Sequence, residues 1–313
     1  MHLVIAFAAP PPDSARAEPQ SSTTPALVRL LSQWTETRRD EGDESTLSPP
    51  HERALAAAYG WQAGADGCLP WAAHLASADS VRVGTQAWGL LTPAHWRVGS
   101  DGVHMADPDT LALSASDSRT LFAAVQPLFA DEGYALTWGS ALRWYAAHAS
   151  LQGLATASLD RVIGRNMDAW LPRQPEAKAL RRLQNEVQML LHGHPLNEQR
   201  EAAGALPVNS FWLSGCGAAQ AAHGDGVRVE RRLRAAALQG DTETWRRQWQ
   251  AIDADTIVPL LAAAARGEPL QLTLCGERSS IELAPRQRAW WQRVGNRLQP
   301  ATTGKARARL EAL

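Results

Sequence analysis

Residues 194–217 read HPLNEQREAAGALPVNSFWLSGCG. The run PVNSFWL, at about 207–213, is apolar, β-prone and of strand length, and it ends in Ser214, Gly215, Cys216 and Gly217. Glycines at a strand tip let the backbone turn tightly or approach a ligand closely. The pattern predicts a strand over 207–213 and then a loop, with Ser214, Gly215 and Gly217 as ligand-facing candidates. On the N-terminal side, residues 176–192 set Leu180, Leu183, Val187, Leu190 and Leu191 on one helical stripe.

Moving outward, residues 2–8 read as a short buried strand, and residues 10–23 as an irregular loop. TPALVRLLSQW starts a helix with Thr24 as N-cap and Pro25 at the first turn, and its Leu27, Leu30, Leu31 and Trp34 share one face. ETRRDEGDES is expected as a charged loop, and Ser48 as the cap of a second helix that stops at Gly60. Residues 81–149 have a different texture. TQAWGLLTPAHWRV and DGVHMAD form a hairpin across GSDG, a helix capped at Ser114 or Ser116 follows, and YALTWG and LRWYAAH add two strands. Beyond the opening stretch, RVERRLRAAALQG and residues 241–267 are expected to be helical, with Asp241 as a cap and Pro259 as a break. LQLTLCGERSSIELAP reads as strand, turn and strand, residues 285–299 as an amphipathic helix, and residues 301–313 as a flexible tail. Strands alternating with helices at both ends predict an α/β core built from residues 1–80 and 150–300. Its sheet is expected to be mostly parallel and flanked by helices, with residues 81–149 inserted as an α+β subdomain.

Composition narrows the function classes. The chain has 313 residues, 45% hydrophobic and 20% charged, with a formal net charge of −1. That balance exerts no general pull on nucleic acid or anionic lipid, and neither partner is expected. Three cysteines without a CxxC pair make a disulfide framework an unsuitable reading, and a reducing, cytoplasmic setting is expected. The apolar run from Leu3 to Ala9 is too short to span a bilayer and lacks a basic segment before it. Thirteen tryptophans are read mainly as packing groups.

The chemistry-bearing side chains are scattered. Ser45, Ser48 and Ser214 are the hydroxyl candidates, and each would need a base or metal to become a nucleophile. No G-x-S-x-G elbow is present, and Gly215-Cys216-Gly217 lacks both the third glycine of a dinucleotide turn and the lysine of a phosphate loop. His192 and His194 fall on one side only in an extended segment. Cys275 and Glu277 follow a late strand, where a sheet presents its carboxyl edge. Arg200 and Arg161 are the guanidinium candidates for an anion, and Asn209 stands beside them as a contact or a scaffold residue.

The opening stretch resembles a segment of the archaeal-type, cofactor-independent phosphoglycerate mutases, of the alkaline-phosphatase superfamily. His194, Pro195, Asn197, Arg200, Gly204, Asn209, Trp212, Gly215 and Gly217 stand in the places of that pattern. TTPALVRLL, LLTPAHWRVGSDGVHMADP at 90–108 with the α+β stretch after it, and LQLTLCGERSS resemble that superfamily's first helix, inserted domain and late strand, in the same order. The whole chain looks closer still to the RpfE-type bacterial regulatory proteins.

The resemblance implies an alkaline-phosphatase-like fold. In the mutases it implies two divalent metals, held by Asp and His, that activate a serine. This chain departs from that set. Its first strand ends IAFAAP without Asp, Val28 stands in the helix where the pattern has Asp, and Cys275-Gly276-Glu277-Arg278 replaces the late Asp-His. No cofactor and no resident metal are therefore expected. A Mn or Zn ion would have to use Cys275, Glu277, His192 or His194, with Ser48 or Ser45 as nucleophile. The expectation is a degenerate mutase-like protein that binds a protein partner or a phosphorylated metabolite. An active mutase with a rearranged site and a purely structural interaction protein are the alternatives.

Overall fold

The computed structural model describes residues 1–11, 24–62, 64–286, 308–310 and 313. Most of the expected loop at 10–23 and of the expected helix at 285–299 lies outside those residues. The chain divides into two compact units, one of Met1–Glu44, Pro49–Trp61 and Ala222–Leu313, the other of Ser45–Ser48 and Gln62–Ala221. Residues 81–149 all fall in the second unit, together with residues 62–80 and 150–221.

The first unit opens with β1 (His2–Ile5), α1 (Pro25–Gln33), β2 (Trp34–Glu41) and α2 (Pro50–Ala58). The second carries α3 (Trp71–Ala78), β3 (Ala87–Ala94), β4 (Trp96–Gly99), β5 (Gly102–Met105), α4 (Ala115–Asp131), β6 (Ala135–Ser140) and β7 (Arg143–Ala147). It continues with α5 (Leu159–Val162), α6 (Lys178–His192), α7 (Pro195–Ala202) and β8 (Ser210–Ala218). The chain returns to the first unit with β9 (Val227–Glu230), α8 (Arg234–Leu238), α9 (Thr242–Ile252), α10 (Val258–Ala265), β10 (Gln271–Cys275) and β11 (Ser279–Pro285).

The class is mixed α/β, and the mostly parallel sheet is corrected. In the first unit the strand order is β2-β11-β10-β1-β9, and only β1 pairs in parallel, with β10 and β9. The β10–β11 and β11–β2 pairs are antiparallel. The short Gly276–Arg278 turn forces the first reversal, because a parallel partner needs a long crossover. In the second unit the order β6-β7-β3-β8 is antiparallel throughout, and β4 and β5 form a separate hairpin.

Two segments change type. The expected charged loop contains β2, an edge strand whose charged residues have no facing sheet to bury them; charge on an edge also discourages pairing with another chain. RVERRLRAAALQG is not one helix: Val227–Glu230 pairs with β1, and only Arg234–Leu238 is helical. Partner strands supply the backbone hydrogen bonds, so pairing overrides local helix preference. Other expectations meet the structure directly. Ser114 caps α4 by accepting from the Asp117 N–H at 3.0 Å, and Pro127 sits within that helix. Asp241 caps α9 by accepting from Thr244 N–H at 2.9 Å, and in α6 Leu180, Leu183, Val187 and Leu191 are buried while Leu190 is exposed. At Pro259 the helix is not broken; a π-helical turn, Asp253–Ile257, precedes α10.

In the first unit, Leu3, Ile5, Leu272, Leu274, Ile281 and Leu283 alternate onto one sheet face and pack with Leu27, Leu30 and Leu31 of α1 and Trp245 and Trp249 of α9. Each fully buried side chain of this kind contributes about 1.5–3 kcal/mol. Thr24 makes no side-chain cap to α1. Asp253 does that work, its buried carboxylate accepting from the N–H groups of Ala26 at 3.1 Å and Leu27 at 2.7 Å. Leu310 joins the same core, and the Leu313 carbonyl accepts from the Ser279 N–H and hydroxyl at 3.3 and 3.0 Å. The described part of 301–313 thus packs on the first unit. In the second unit, Leu121, Val125 and Phe129 of α4 and Leu183 and Val187 of α6 pack with Trp144 and Phe211 of its sheet. No helix among the described residues is long and apolar enough to cross a membrane.

Candidate functional site

The opening stretch is held by its own polar side chains. His194 caps α7 by accepting from the Leu196 N–H at 3.2 Å, and Pro195 opens the helix. The buried Asn197 amide donates to the carbonyls of Leu191 and Val208, both at 2.8 Å, and accepts from the Val208 N–H at 2.9 Å. Arg200, also buried, donates to Leu206 O at 3.0 Å and Leu111 O at 2.5 Å, with the Asp117 carboxylate at 3.7 Å. Asn209 accepts from the Trp96 N–H and donates to the Trp96 carbonyl, both at 2.7 Å, so its amide mimics a neighbouring strand. The Trp212 indole donates to Ala157 O at 2.9 Å. Every side chain in this set hydrogen-bonds to a backbone group, and those of Asn197, Arg200 and Trp212 reach buried ones.

The expected loop after Leu213 does not exist. β8 runs on to Ala218 and pairs with β3, with a bulge where the register shifts between Trp88 and Leu90. Ser214 pairs opposite Leu90 and Gly217 opposite Trp88. Gly215 has φ +65°, and a Cβ there would lie 2.8 Å from the Ala72 nitrogen; at Gly217, with φ +145°, a Cβ would lie 3.2 Å from Pro70 Cβ. The two glycines admit the start of α3, and that close backbone approach is what the sequence signal marks.

The remaining candidates do not converge. Arg161 on α5 is 3% exposed, donates to Thr46 O at 2.8 Å, and lies over the Trp170 ring at 5.2 Å. Ser48 does not cap α2, whose N-cap is Pro49. Its oxygen instead accepts from the Gly67 N–H at 3.1 Å, and Asp66 accepts from the Ser48 and Leu47 N–H groups. Ser45 is exposed. His192, at the exposed end of α6, and His194, committed to its cap, offer no common face. Cys275 is fully buried at the end of β10, where desolvation pushes its thiol far up, and Glu277 is exposed beyond it. A protonated, buried thiol is a poor metal ligand and a poor nucleophile.

The two-metal arrangement implied by the resemblance does not fit these residues. Beyond β1 the chain places Phe7, at φ 58°, where its ring lies 5.2 Å from that of His51 and its carbonyl accepts from the Trp245 indole at 2.9 Å. The Ala8 N–H then donates to Cys275 O at 2.7 Å. β1 itself runs out through Ile5 and Ala6 without an acidic residue of its own, and among the described residues no group of three or more His, Cys, Asp or Glu side chains is placed to hold a metal.

A concave site absent from the sequence reading lies in the first unit, on the sheet face opposite its leucines. A shallow cleft is lined by Arg38, Asp40, Arg53, Thr273, Ser280 and Glu282, with Ala54 and Ala57 of α2 forming a wall. Cross-strand register makes the cluster: Thr273 lies opposite Glu282, Glu282 opposite Arg38, and Ser280 opposite Asp40. Arg53 donates to Asp40 at 2.6 Å and to the Arg278 carbonyl at 3.0 Å. Glu282 accepts from Thr37 and Gln271, both at 3.1 Å. His2 Nε2 meets Thr273 Oγ1 at 2.8 Å, and burial holds His2 below the ordinary histidine pKa although Glu282 pulls the other way. The alternation of Leu272, Thr273 and Leu274, and of Ser280, Ile281 and Glu282, was the available signal for a polar sheet face. In the second unit another shallow cleft is bordered by Arg181 and Gln184, which donate to the carbonyls of Pro172 and Phe211.

No protein-family model matches the chain, and no curated protein matches it. Among solved structures, it aligns with a cofactor-independent phosphoglycerate mutase from Thermoplasma acidophilum DSM 1728 at 13% identity and a TM-score of 0.38, over 100% of this chain and 98% of that one. It also aligns with the PH0037 protein from Pyrococcus horikoshii at 12% identity and a TM-score of 0.45, over 91% and 87% of the two chains. At those scores neither alignment carries an argument about activity.

Proposed function

We propose that the chain is a catalytically degenerate, phosphoglycerate-mutase-like protein that acts by binding, as a regulatory protein for a small ligand or a protein partner. One observation carries this reading. The residues that hold the mutase-like pattern, Asn197, Arg200, Asn209 and Trp212, are each hydrogen-bonded to backbone groups of their own unit. Ser48 likewise uses its oxygen on Gly67. The pattern therefore reads as the frame of such a protein, separate from any catalytic set. In-line phosphoryl displacement needs its attacking and leaving oxygens clamped by metals, and the substitute ligands are apart in burial and role.

The test is conversion of 3-phosphoglycerate to 2-phosphoglycerate by the full chain, with added Mn or Zn and with EDTA. No turnover is expected under either condition. Turnover that EDTA abolishes and that disappears in the Ser45→Ala, Ser48→Ala double variant overturns the reading in favour of an active enzyme.

A further inference from the structure

From the polar cleft of the first unit we infer that it is a binding site for a small zwitterion, an α-amino acid, and this rests on the binding function proposed above. The argument begins with two groups that lack partners. The Arg38 guanidinium has no hydrogen bond or ion pair among the described residues. Ser280 is 4% exposed, lines the cleft, and its hydroxyl has no hydrogen-bond partner among the described residues. The Ser280 oxygen is not among the polar atoms sealed from solvent without a partner, so it stands open to the cleft. A ligand oxygen in the cleft supplies that partner. Arg38, with its planar fork of donors, suits a carboxylate beside it.

Charge selects the ligand class. The cleft holds two guanidiniums, Arg38 and Arg53, and two carboxylates, Asp40 and Glu282, so its formal balance is neutral. Arg53 is paired with Asp40. Thus Arg38 is the cation left for a ligand, and a doubly charged phosphate ester would also face Asp40 and Glu282. A zwitterion matches both signs. Its carboxylate takes Arg38 and Ser280, and its ammonium takes the Glu282 side of the floor. His2, held neutral by burial, adds no competing positive charge at pH 7. The α2 alanines at its wall favour a short side chain.

Calorimetric titration of the full chain with glycine and L-alanine tests this, with acetate, inorganic phosphate and 3-phosphoglycerate as comparisons. Saturable binding of the amino acids is expected, with acetate at least about tenfold weaker for want of the ammonium contact. Arg38→Ala and Ser280→Ala should each weaken the amino acid by about tenfold or more while circular dichroism stays that of the parent. No saturation up to about 10 mM, a weak affinity even for so small a ligand, overturns the inference. So does amino-acid binding that both variants leave unchanged, or phosphate or 3-phosphoglycerate binding more tightly than glycine through Arg38. Mutase turnover would overturn the binding function and leave this titration to stand or fall by itself. A failed titration without turnover removes only the amino-acid site.

Discussion

The 194–217 stretch of the second unit and the polar sheet face of the first make an instructive pair. Both concentrate Arg, Ser and acidic side chains in or near buried positions. In the stretch, Asn197, Arg200 and Asn209 hydrogen-bond to backbone groups at 2.5 to 3.0 Å. On the sheet face, Arg38 and Ser280 have no partner at all among the described residues. A recognisable polar pattern can mark groups that fold the chain, whereas binding capacity resides in groups the fold leaves unsatisfied.

The largest expected effect that separates the two regions is at Arg200. Arg200→Ala leaves the buried Leu111 carbonyl and the part-buried Leu206 carbonyl without this donor and is expected to cost about 3–5 kcal/mol in urea-induced unfolding. Lysine should restore little, since a point charge cannot serve both carbonyls in the guanidinium geometry. A loss under about 1 kcal/mol would break the scaffold reading. Next comes Gly215→Ala, expected to cost about 2–3 kcal/mol because it combines a left-handed backbone with a Cβ pressed on α3. Both costs should appear without any change in ligand binding at the first unit's cleft.

Smaller is the pH effect at Asp253. Burial raises its pKa above 3.8, while the two α1 N–H groups oppose the shift. A raised carboxyl pKa means the folded state holds the proton more tightly. That contribution is fully present below the unfolded pKa and is lost as pH rises through the folded one. The stability of the parent relative to Asp253→Asn should therefore fall as pH climbs upward from about 4, read as paired urea midpoints. A difference that is constant or grows with pH contradicts the assignment. Smallest are Arg38→Ala and Ser280→Ala, expected to move stability by less than about 0.5 kcal/mol. Removing a hydroxyl that has no partner takes away no hydrogen bond, so Ser280→Ala is expected to be neutral or slightly stabilising.

Legibility followed the physics of each element. α6 and α4 were visible because their apolar residues recur with the helical period and a serine stands at the Ser114 cap. The β10–β11 hairpin was visible because Leu272, Leu274, Ile281 and Leu283 alternate around a Gly-containing turn. β2 was not, because WTETRRDE carries no apolar alternation, and β9 was not, because its four residues, VRVE, run on into a charged and alanine-rich stretch with a helical look. β2 is held at the sheet edge by pairing with β11, and β9 by pairing with β1. The cleft was hidden for the same reason: Arg38 belongs to a segment read as a loop, and it reaches Glu282's row only once β2 pairs with β11. At Gly215 and Gly217 the signal was real, but its cause is the approach of α3.

The sequence by itself determined the α/β class, the main helix stripes, the caps at Ser114 and Asp241, and the absence of Asp from the end of the first strand. These depend on periodicity, local hydrogen bonding and residue identity, all of which are written in neighbouring positions. Only the tertiary structure decided the mixed sheet, the capping of α1 by Asp253, and which polar groups are satisfied. Those depend on residues far apart in the chain, as in the 226 positions between Leu27 and Asp253. A side chain's identity says what it is able to bond, and the fold alone says whether another part of the chain has already met that need.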